Sequence, residues 1–289
     1  FDDGRLGLVE GSQIWDLTDA CGIDTTSWPP VGPLQFIARF DELLPIIEEV
    51  KRTAAPLALA DVDLRAPIPW PNKVVAFPVN YHDHAREMKS TGFANVQGFF
   101  LKASSSICGP RDVIEIPDIP GREVHHECEI GIVVGKGGRQ IEASSALSHI
   151  FGFVCLLDMT IRGREERVMR KSYDSFTPIG PWITTVDEIT DINNIDMRLW
   201  VNDELRQSAN TRDLIVNMGD MIAVASSAMT LYPGDIIATG TPAGVGLVQP
   251  GDVVTIEVDG LGRMSMPVAA SAYGRNDVFA APYEFKRGA

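Results

Sequence analysis

A chain of 289 residues with 45% hydrophobic and 22% charged side chains has an ordinary globular composition, and at this length it buries roughly three quarters of the surface its unfolded form exposes. Its formal charge of −14, from 39 acidic and 25 basic residues, would repel a nucleic-acid backbone, and apolar runs such as 151–157 fall far short of the roughly 20 residues that cross a bilayer. Disorder, a collagen-like structure, a nucleic-acid partner and a membrane span are set aside on these grounds.

In chain order, residues 5–17 alternate apolar and polar side chains about a turn at Gly11 and Ser12, which predicts a β-hairpin. Residues 40–51 then carry Phe40, Leu43, Leu44, Ile47 and Val50 at a helical period, with Pro45 tolerable only near a first turn. Pro67, Pro69 and Pro71 forbid both a helix interior and a central strand, so a domain boundary is expected there, between a small domain at 1–65 and a larger one at 73–289. Beyond it, strands are expected at 73–77, 99–102, 128–134, 152–157, 197–201, 236–238 and 253–258, and helices near 82–90, 143–149 and 213–229. Strands and helices do not alternate regularly, which excludes a TIM barrel and a doubly wound sheet. Cys21, Cys108, Cys128 and Cys155 form no C-x-x-C pair and no zinc spacing, so a reducing, cytoplasmic setting is expected. The chain opens on Phe1 rather than Met, so further residues are expected to precede it.

The segment 124–135 carries the most chemistry. In a strand, Glu127 and Glu129 project from one face of an otherwise apolar run, and two adjacent carboxylates repel unless a cation joins them. Oxygen ligands select a hard ion such as Mg²⁺, Mn²⁺ or Ca²⁺; the alternative is a solvent-facing strand edge. Asp158 ends the apolar run 150–157 and is a natural third ligand, or the cap of the next turn. His125 shares the face of Glu127 and is a weaker candidate, since hard cations prefer oxygen. The run 162–171 holds five basic and two acidic residues, an anion-attracting patch or a solvated loop whose charges pair among themselves. His84 and Glu87 fall one helical turn apart, close enough for Glu87 to orient the imidazole as a general base; the alternative is a surface histidine with a salt-bridge neighbour.

Four blocks, in order, resemble the fumarylacetoacetate hydrolase superfamily, and the resemblance covers roughly 73–268. Asn80, Tyr81, His84 and Glu87 are similar to its N-Y-x-x-H-x-x-E. The run 100–102, ending in Lys102, leads to Glu127, Glu129 and Asp158, which resemble its E-x-E and distal Asp metal set; 171–181 resembles its K-S-[FY]-D-x-F-x-P-x-G-P run, and 201–211 with 233–246 its last block. The resemblance implies a fold that is mainly β with α, a mixed β-sandwich roll or distorted β-barrel with a small N-terminal α/β domain. It also implies a homodimer and an ion, Mg²⁺ or Mn²⁺ with Ca²⁺ as a crystallographic substitute, on Glu127, Glu129 and Asp158.

Within that family the nearest type is the acylpyruvate hydrolase and 2-hydroxyhepta-2,4-diene-1,7-dioate isomerase-like branch. The implied reaction is hydrolysis of a C–C bond in a 2-oxo or diketo acid such as fumarylpyruvate, maleylpyruvate or fumarylacetoacetate, in aromatic or sugar-acid catabolism. His84, Glu87 and Lys171 would carry the chemistry, and Tyr81, Arg162, Lys102, Gln207, Thr239, Gly240 and Thr241 would meet the substrate. Oxaloacetate decarboxylation and dienoate isomerisation or hydration use the same chelate. A non-catalytic member binding a dicarboxylate or a protein partner is the reading from another class. Two departures stand out: Pro78 occupies a position where the family commonly has Gly, and Glu165 one near which it has Gln.

Overall fold

The computed structural model describes residues 1–90 and 92–277. Strands β1 (Gly7–Glu10) and β2 (Gln13–Asp16) form the expected hairpin, followed by helices α1 (Gly32–Ala38) and α2 (Phe40–Thr53) and strand β3 (Leu57–Ala58). After the proline-rich connector come β4 (Val74–Ala76), α3 (His82–Glu87), α4 (Ala94–Gln97), β5 (Phe100–Lys102), β6 (Ile107–Cys108) and β7 (Ile114–Asp118). The middle of the chain supplies β8 (Val124–His126), β9 (Cys128–Val134), β10 (Ile150–Leu157), β11 (Thr160–Ile161), α5 (Arg167–Lys171) and β12 (Thr177–Thr185). The last third gives β13 (Asp196–Val201), β14 (Glu204–Asn210), α6 (Met218–Ala228), β15 (Ile236–Ala238), β16 (Gly246–Val248), β17 (Val253–Val258) and β18 (Gly262–Arg275).

These strands make a seven-stranded sheet ordered β5-β4-β15-β9-β10-β12-β6, a five-stranded sheet ordered β14-β13-β17-β18-β7, and three-stranded sheets β11-β8-β16 and β1-β2-β3. The fold is mainly β, with a curled, roll-like arrangement of sheets. Its centre is the β9–β10 pair, whose apolar runs are nearly continuous because both faces are covered. The two-residue period of a strand sorts them. Ile130, Ile132, Val134, Phe153, Cys155 and Leu157 face a core shared with the five-stranded sheet, whereas Val133, Val154 and Leu156 face Phe36, Ile37, Leu43 and Ile47 of the N-terminal helices. Residues 1–65 therefore share a core with the central sheet.

Several elements differ from expectation, for local reasons. The helix expected at 143–149 is a 3₁₀ turn at Ala146–His149, and the one expected at 213–229 begins only at Met218, where Asn217 caps it by accepting the Asp220 N–H at 3.0 Å. Strand β12 was hidden by Pro178 and Pro181, which read as breakers but lie beside the short edge strand β6. Strand β14 was hidden by its polar, mostly exposed sequence, the mark of a sheet edge. Pro45 lies in the second turn of α2, where it costs one ladder hydrogen bond. The expected 73–289 segment runs past the described residues at 278–289.

All four cysteines are buried and free. Burial pushes the Cys108 and Cys128 thiols up, and that of Cys155 up to about 12, so thiolate is scarce and out of reach. The folded protein should therefore release no chromophore from a thiol-exchange reagent such as DTNB, and the four equivalents should appear only in denaturant. A thiol that titrates at once in the native protein would contradict this packing.

Candidate active site and metal centre

The β9–β10 register builds the acidic cluster. Glu129 pairs with Leu156 and Cys128 with Leu157, so the next step outward sets Glu127 opposite Asp158, and the Asp158 N–H donates to the Glu127 carbonyl at 3.0 Å. Glu127 and Glu129, two residues apart, share the face that Asp158 meets from the neighbouring strand. One carboxylate oxygen from each lies within 4.8 Å of the others, and the residues are only 5%, 2% and 1% exposed. The solvent-facing edge is thus not what these carboxylates form.

Three cations answer them. The Lys171 ammonium bridges Glu127 and Asp158 at 2.7 Å each, Lys102 donates to Asp158 and to the Phe176 carbonyl, and Arg162 lies 3.3 Å from Glu127 in a geometry that makes no hydrogen bond. Burial alone would lower Lys171, but Asp158 and Glu127 outweigh it and hold the ammonium above its ordinary range. Lys102, with one carboxylate and a carbonyl, is lowered by burial despite Asp158. Burial would likewise raise Glu127, and Lys171 and Arg162 reverse this, whereas Glu129 is held well above the carboxylate range by burial and by Asp158 and Glu127. A cation set directly beside Glu129 is what the cluster lacks electrostatically.

The donor set fits a hard divalent ion. Oxygen ligands of Mg²⁺ or Mn²⁺ sit about 2.1 Å from the metal and hence about 3–4 Å apart, and one carboxylate oxygen from each of the three residues lies within 4.8 Å of the others. Buried polar atoms without a partner also gather here: among the described residues they are Trp15 Nε1, Tyr81 Oη, His125 Nδ1, His126 Nε2 and Arg162 NH2, of which all but Trp15 belong to the segments around the cluster. Polar groups left this way in a core mark a place for a ligand or water. His125 Nε2 lies 3.0 Å from Glu123, so the ring is turned to that carboxylate rather than set among the three acidic residues.

The His84 ring is 5% exposed on α3, which the surface-histidine alternative does not allow. Its Nδ1 lies 3.1 Å from Glu87 Oε2, and the other Glu87 oxygen accepts the Gly244 N–H at 2.9 Å. The imidazole is close enough to Glu127 for its positive charge, when present, to favour that carboxylate. Asn80 anchors the helix start: its amide donates to the Val216 and Thr239 carbonyls at 3.0 and 2.9 Å and accepts from the Val216 N–H at 2.8 Å.

The remaining sequence candidates divide. The Tyr81 hydroxyl is buried near Cys128 and Glu129 and has no partner, and burial first, then these neighbours, raise its ionisation well above the usual range. Thr239 is engaged by Ile130, donating to its carbonyl at 3.0 Å and accepting its N–H at 3.2 Å. Gly240 gives its N–H to Glu129 at 2.7 Å, and Thr241 accepts from Gln207 at 2.8 Å. Gln207 has all four of its hydrogen-bonding positions filled by protein groups, so a substrate contact there would have to break one. His126, passed over in the sequence, is fully buried beside it; burial pushes it down to about 4 and keeps the ring neutral. The basic run bonds mostly outside its own charges: Arg170 donates to the backbone carbonyls of Glu165 and Ile161, Arg167 to Gln97, and Glu165 is held by Arg122. Only Arg162 and Lys171 of that run meet the acidic cluster. Beside Pro78, the Val79 carbonyl accepts the Ala94 N–H at 3.2 Å.

A cavity of about 610 Å³ lies elsewhere, where Phe36, Phe40 and Ile47 meet Phe151, Trp182 and Ile183, and none of the sequence-derived candidates lines it. The chemistry rests on the carboxylates and the dyad rather than on this apolar cavity. Replacing Lys171 by Met should leave Glu127 and Asp158 short of a cation, which at a buried pair costs roughly 3–5 kcal/mol and on the order of 10 °C in melting temperature. Saturating Mn²⁺ should restore much of that loss. Equal melting of parent and variant in EDTA would show that the ammonium does not neutralise the cluster.

A family model of the fumarylacetoacetate (FAA) hydrolase C-terminal region matches residues 73–269. The chain is 39% identical over 280 residues to a maleylpyruvate hydrolase of Aquipseudomonas alcaligenes, covering 93% of this chain and 97% of that one. It is 35% identical over 257 residues to the mitochondrial oxaloacetate tautomerase FAHD2B of Homo sapiens, covering 83% and 81%. The crystal structure of maleylpyruvate hydrolase from Sphingobium sp. SYK-6 in complex with manganese(II) and pyruvate is similar with a TM-score of 0.87 and 49% identity, covering 94% of this chain and 98% of that one. Among the described residues no helix is long and apolar enough to cross a membrane.

Proposed function

The chain belongs to the fumarylacetoacetate hydrolase family, and from that premise we propose that it is a divalent-metal-dependent hydrolase that splits maleylpyruvate, or a closely related acylpyruvate, into pyruvate and a dicarboxylic acid. The observation that carries the reading is the meeting of three buried carboxylates with a buried His84 held by the more exposed Glu87, in a chain this similar to maleylpyruvate hydrolases.

Glu127, Glu129 and Asp158 hold Mg²⁺ or Mn²⁺ in this reading. When bound, the ion supplies positions for the carboxylate and keto oxygens of a 2-oxo acid and Lewis acidity that draws electron density from the scissile bond. His84, with Nδ1 committed to Glu87, takes a proton at Nε2 from the water that attacks the distal carbonyl. The bond between that carbonyl carbon and the methylene breaks, its electron pair goes to the methylene carbon of the pyruvate half, and the His84 proton can follow it there. Glu87 keeps the ring oriented and balances its charge in between. Lys171 and Arg162 add positive charge at the carboxylates, and the Tyr81 hydroxyl is a buried donor free to meet a substrate oxygen. The same reading takes 1–65 as a small N-terminal domain beside the catalytic one, in a cytoplasmic homodimer.

The test is turnover. With Mn²⁺ or Mg²⁺, the purified protein should consume the enol absorbance of maleylpyruvate and yield equal amounts of pyruvate and maleate, with none formed in EDTA. The similarity to an oxaloacetate tautomerase favours a second reading, enol–keto interconversion of oxaloacetate. Fast interconversion without cleavage of any acylpyruvate would put that reading first, and metal-dependent binding of pyruvate without turnover of any substrate would leave a binding protein.

A further inference from the structure

Gln207 lies on β14, at the edge of the five-stranded sheet, yet its side chain is 1% exposed and reaches away from that sheet. Its Oε1 accepts from the Cys128 N–H and from His126 Nδ1, each at 3.0 Å, so the amide orientation is set by two donors. Its Nε2 donates to the Thr241 hydroxyl at 2.8 Å and to the Pro242 carbonyl at 2.9 Å. One end thus grips the backbone of the residue between Glu127 and Glu129, and the other grips the loop 239–246.

That loop touches both halves of the site. The Gly240 N–H holds the Glu129 carboxylate at 2.7 Å, and the Gly244 N–H holds Glu87, the residue that orients His84, at 2.9 Å. The loop can make both contacts only in its present form: Gly240 and Gly244 have φ of +91° and +97°, and a Cβ would lie 2.7 Å from that of Asn80 at the first and clash with the Arg206 carbonyl at the second. Arg206 is the neighbour of Gln207, so backbone and side chain of the same strand pin the loop.

We infer that Gln207 is a positioning residue that, by clamping the 239–246 loop to the ligand strand, sets the Glu129 carboxylate for the metal and the Glu87–His84 dyad for its substrate at the same time. This rests on the functional reading above and gives Gln207 a role through other residues rather than through contact with substrate. The loop is the shared element, so a slack clamp should disturb metal affinity and proton transfer together.

Three changes at two positions test it in the full chain. Gln207→Glu keeps the acceptor for Cys128 and His126 but sets a carboxylate oxygen against the Pro242 carbonyl. Thr241→Val removes the hydroxyl alone, and Thr241→Ser keeps it. Calorimetry with Mn²⁺ and no substrate should show Kd raised about 10- to 100-fold in Gln207→Glu, less in Thr241→Val, and nearly unchanged in Thr241→Ser. At saturating Mn²⁺, kcat on maleylpyruvate should still be reduced about 10-fold or more in Gln207→Glu, with KM changed less. Unchanged Mn²⁺ affinity in a folded Gln207→Glu, or weaker affinity with normal kcat at saturating Mn²⁺, would overturn the inference. The parent protein is the control: if it neither binds Mn²⁺ nor turns over, the functional reading fails, whereas an active parent matched by Gln207→Glu and Thr241→Val removes only the clamp.

Discussion

Glu129→Gln should abolish measurable binding of Mn²⁺ or Mg²⁺ near neutral pH and take metal-dependent turnover with it. The loss should exceed the roughly 10- to 100-fold that follows removal of a supporting contact, because the change removes one of three ligands and the charge that draws the ion. Glu129 is also the carboxylate the fold supports least without an ion: burial, Asp158 and Glu127 all oppose its charge, and the Lys171 ammonium sits on Glu127 and Asp158 rather than on it. The neutral amide is nearly isosteric and can still accept the Gly240 N–H, so the metal-free variant should melt no lower than the metal-free parent. Isothermal calorimetry and thermal melts in EDTA measure the two halves. Unchanged metal affinity would remove Glu129 from the ligand set, and a folding collapse would mean that its charge holds the core.

The residues that explain this behaviour were legible in the sequence to different degrees. Glu127 and Glu129 stood out because two carboxylates interrupt an apolar run, and Asp158 because it closes another; the antiparallel register that brings the runs together was not visible, since pairing of distant strands leaves no local mark. His84 and Glu87 could be read as a pair because a helix sets residues three apart side by side. The burial of His84 could not, because it depends on Asn80 tying the start of α3 to Val216 and Thr239. The surrounding polar network was the least legible. Gln207 came forward only through a resemblance, as a substrate contact, while its four protein partners come from two distant stretches of chain, 126–128 and 241–242. His126 gave no signal of its own, being one of two adjacent histidines of which His125 shared the acidic face. In the fold, periodicity located β9, β10 and α2, where one or both faces are apolar, and failed at β12 and β14, whose prolines and polar residues are tolerated by edge pairing.

His84→Ala should lower acylpyruvate cleavage by about 10²- to 10⁴-fold, the usual contribution of a positioned general base. Water attacking the distal carbonyl must lose a proton as it attacks, and the imidazole is the buried base that Glu87 holds beside Glu127. Metal affinity should remain within a few-fold of the parent, since His84 is not among the clustered carboxylates. Glu87→Gln should cost less, because the amide can still hold the ring and accept the Gly244 N–H but cannot balance the charge of a protonated imidazole. Decarboxylation of oxaloacetate separates the alternatives: it needs an electron sink and no attacking water, so His84→Ala should leave it far less affected than cleavage. Steady-state rates of pyruvate release from both substrates, at saturating Mn²⁺, give the comparison directly. Cleavage that survives His84→Ala would transfer the proton step to another group, and equal losses on both substrates would mean that His84 shapes the site rather than activating water.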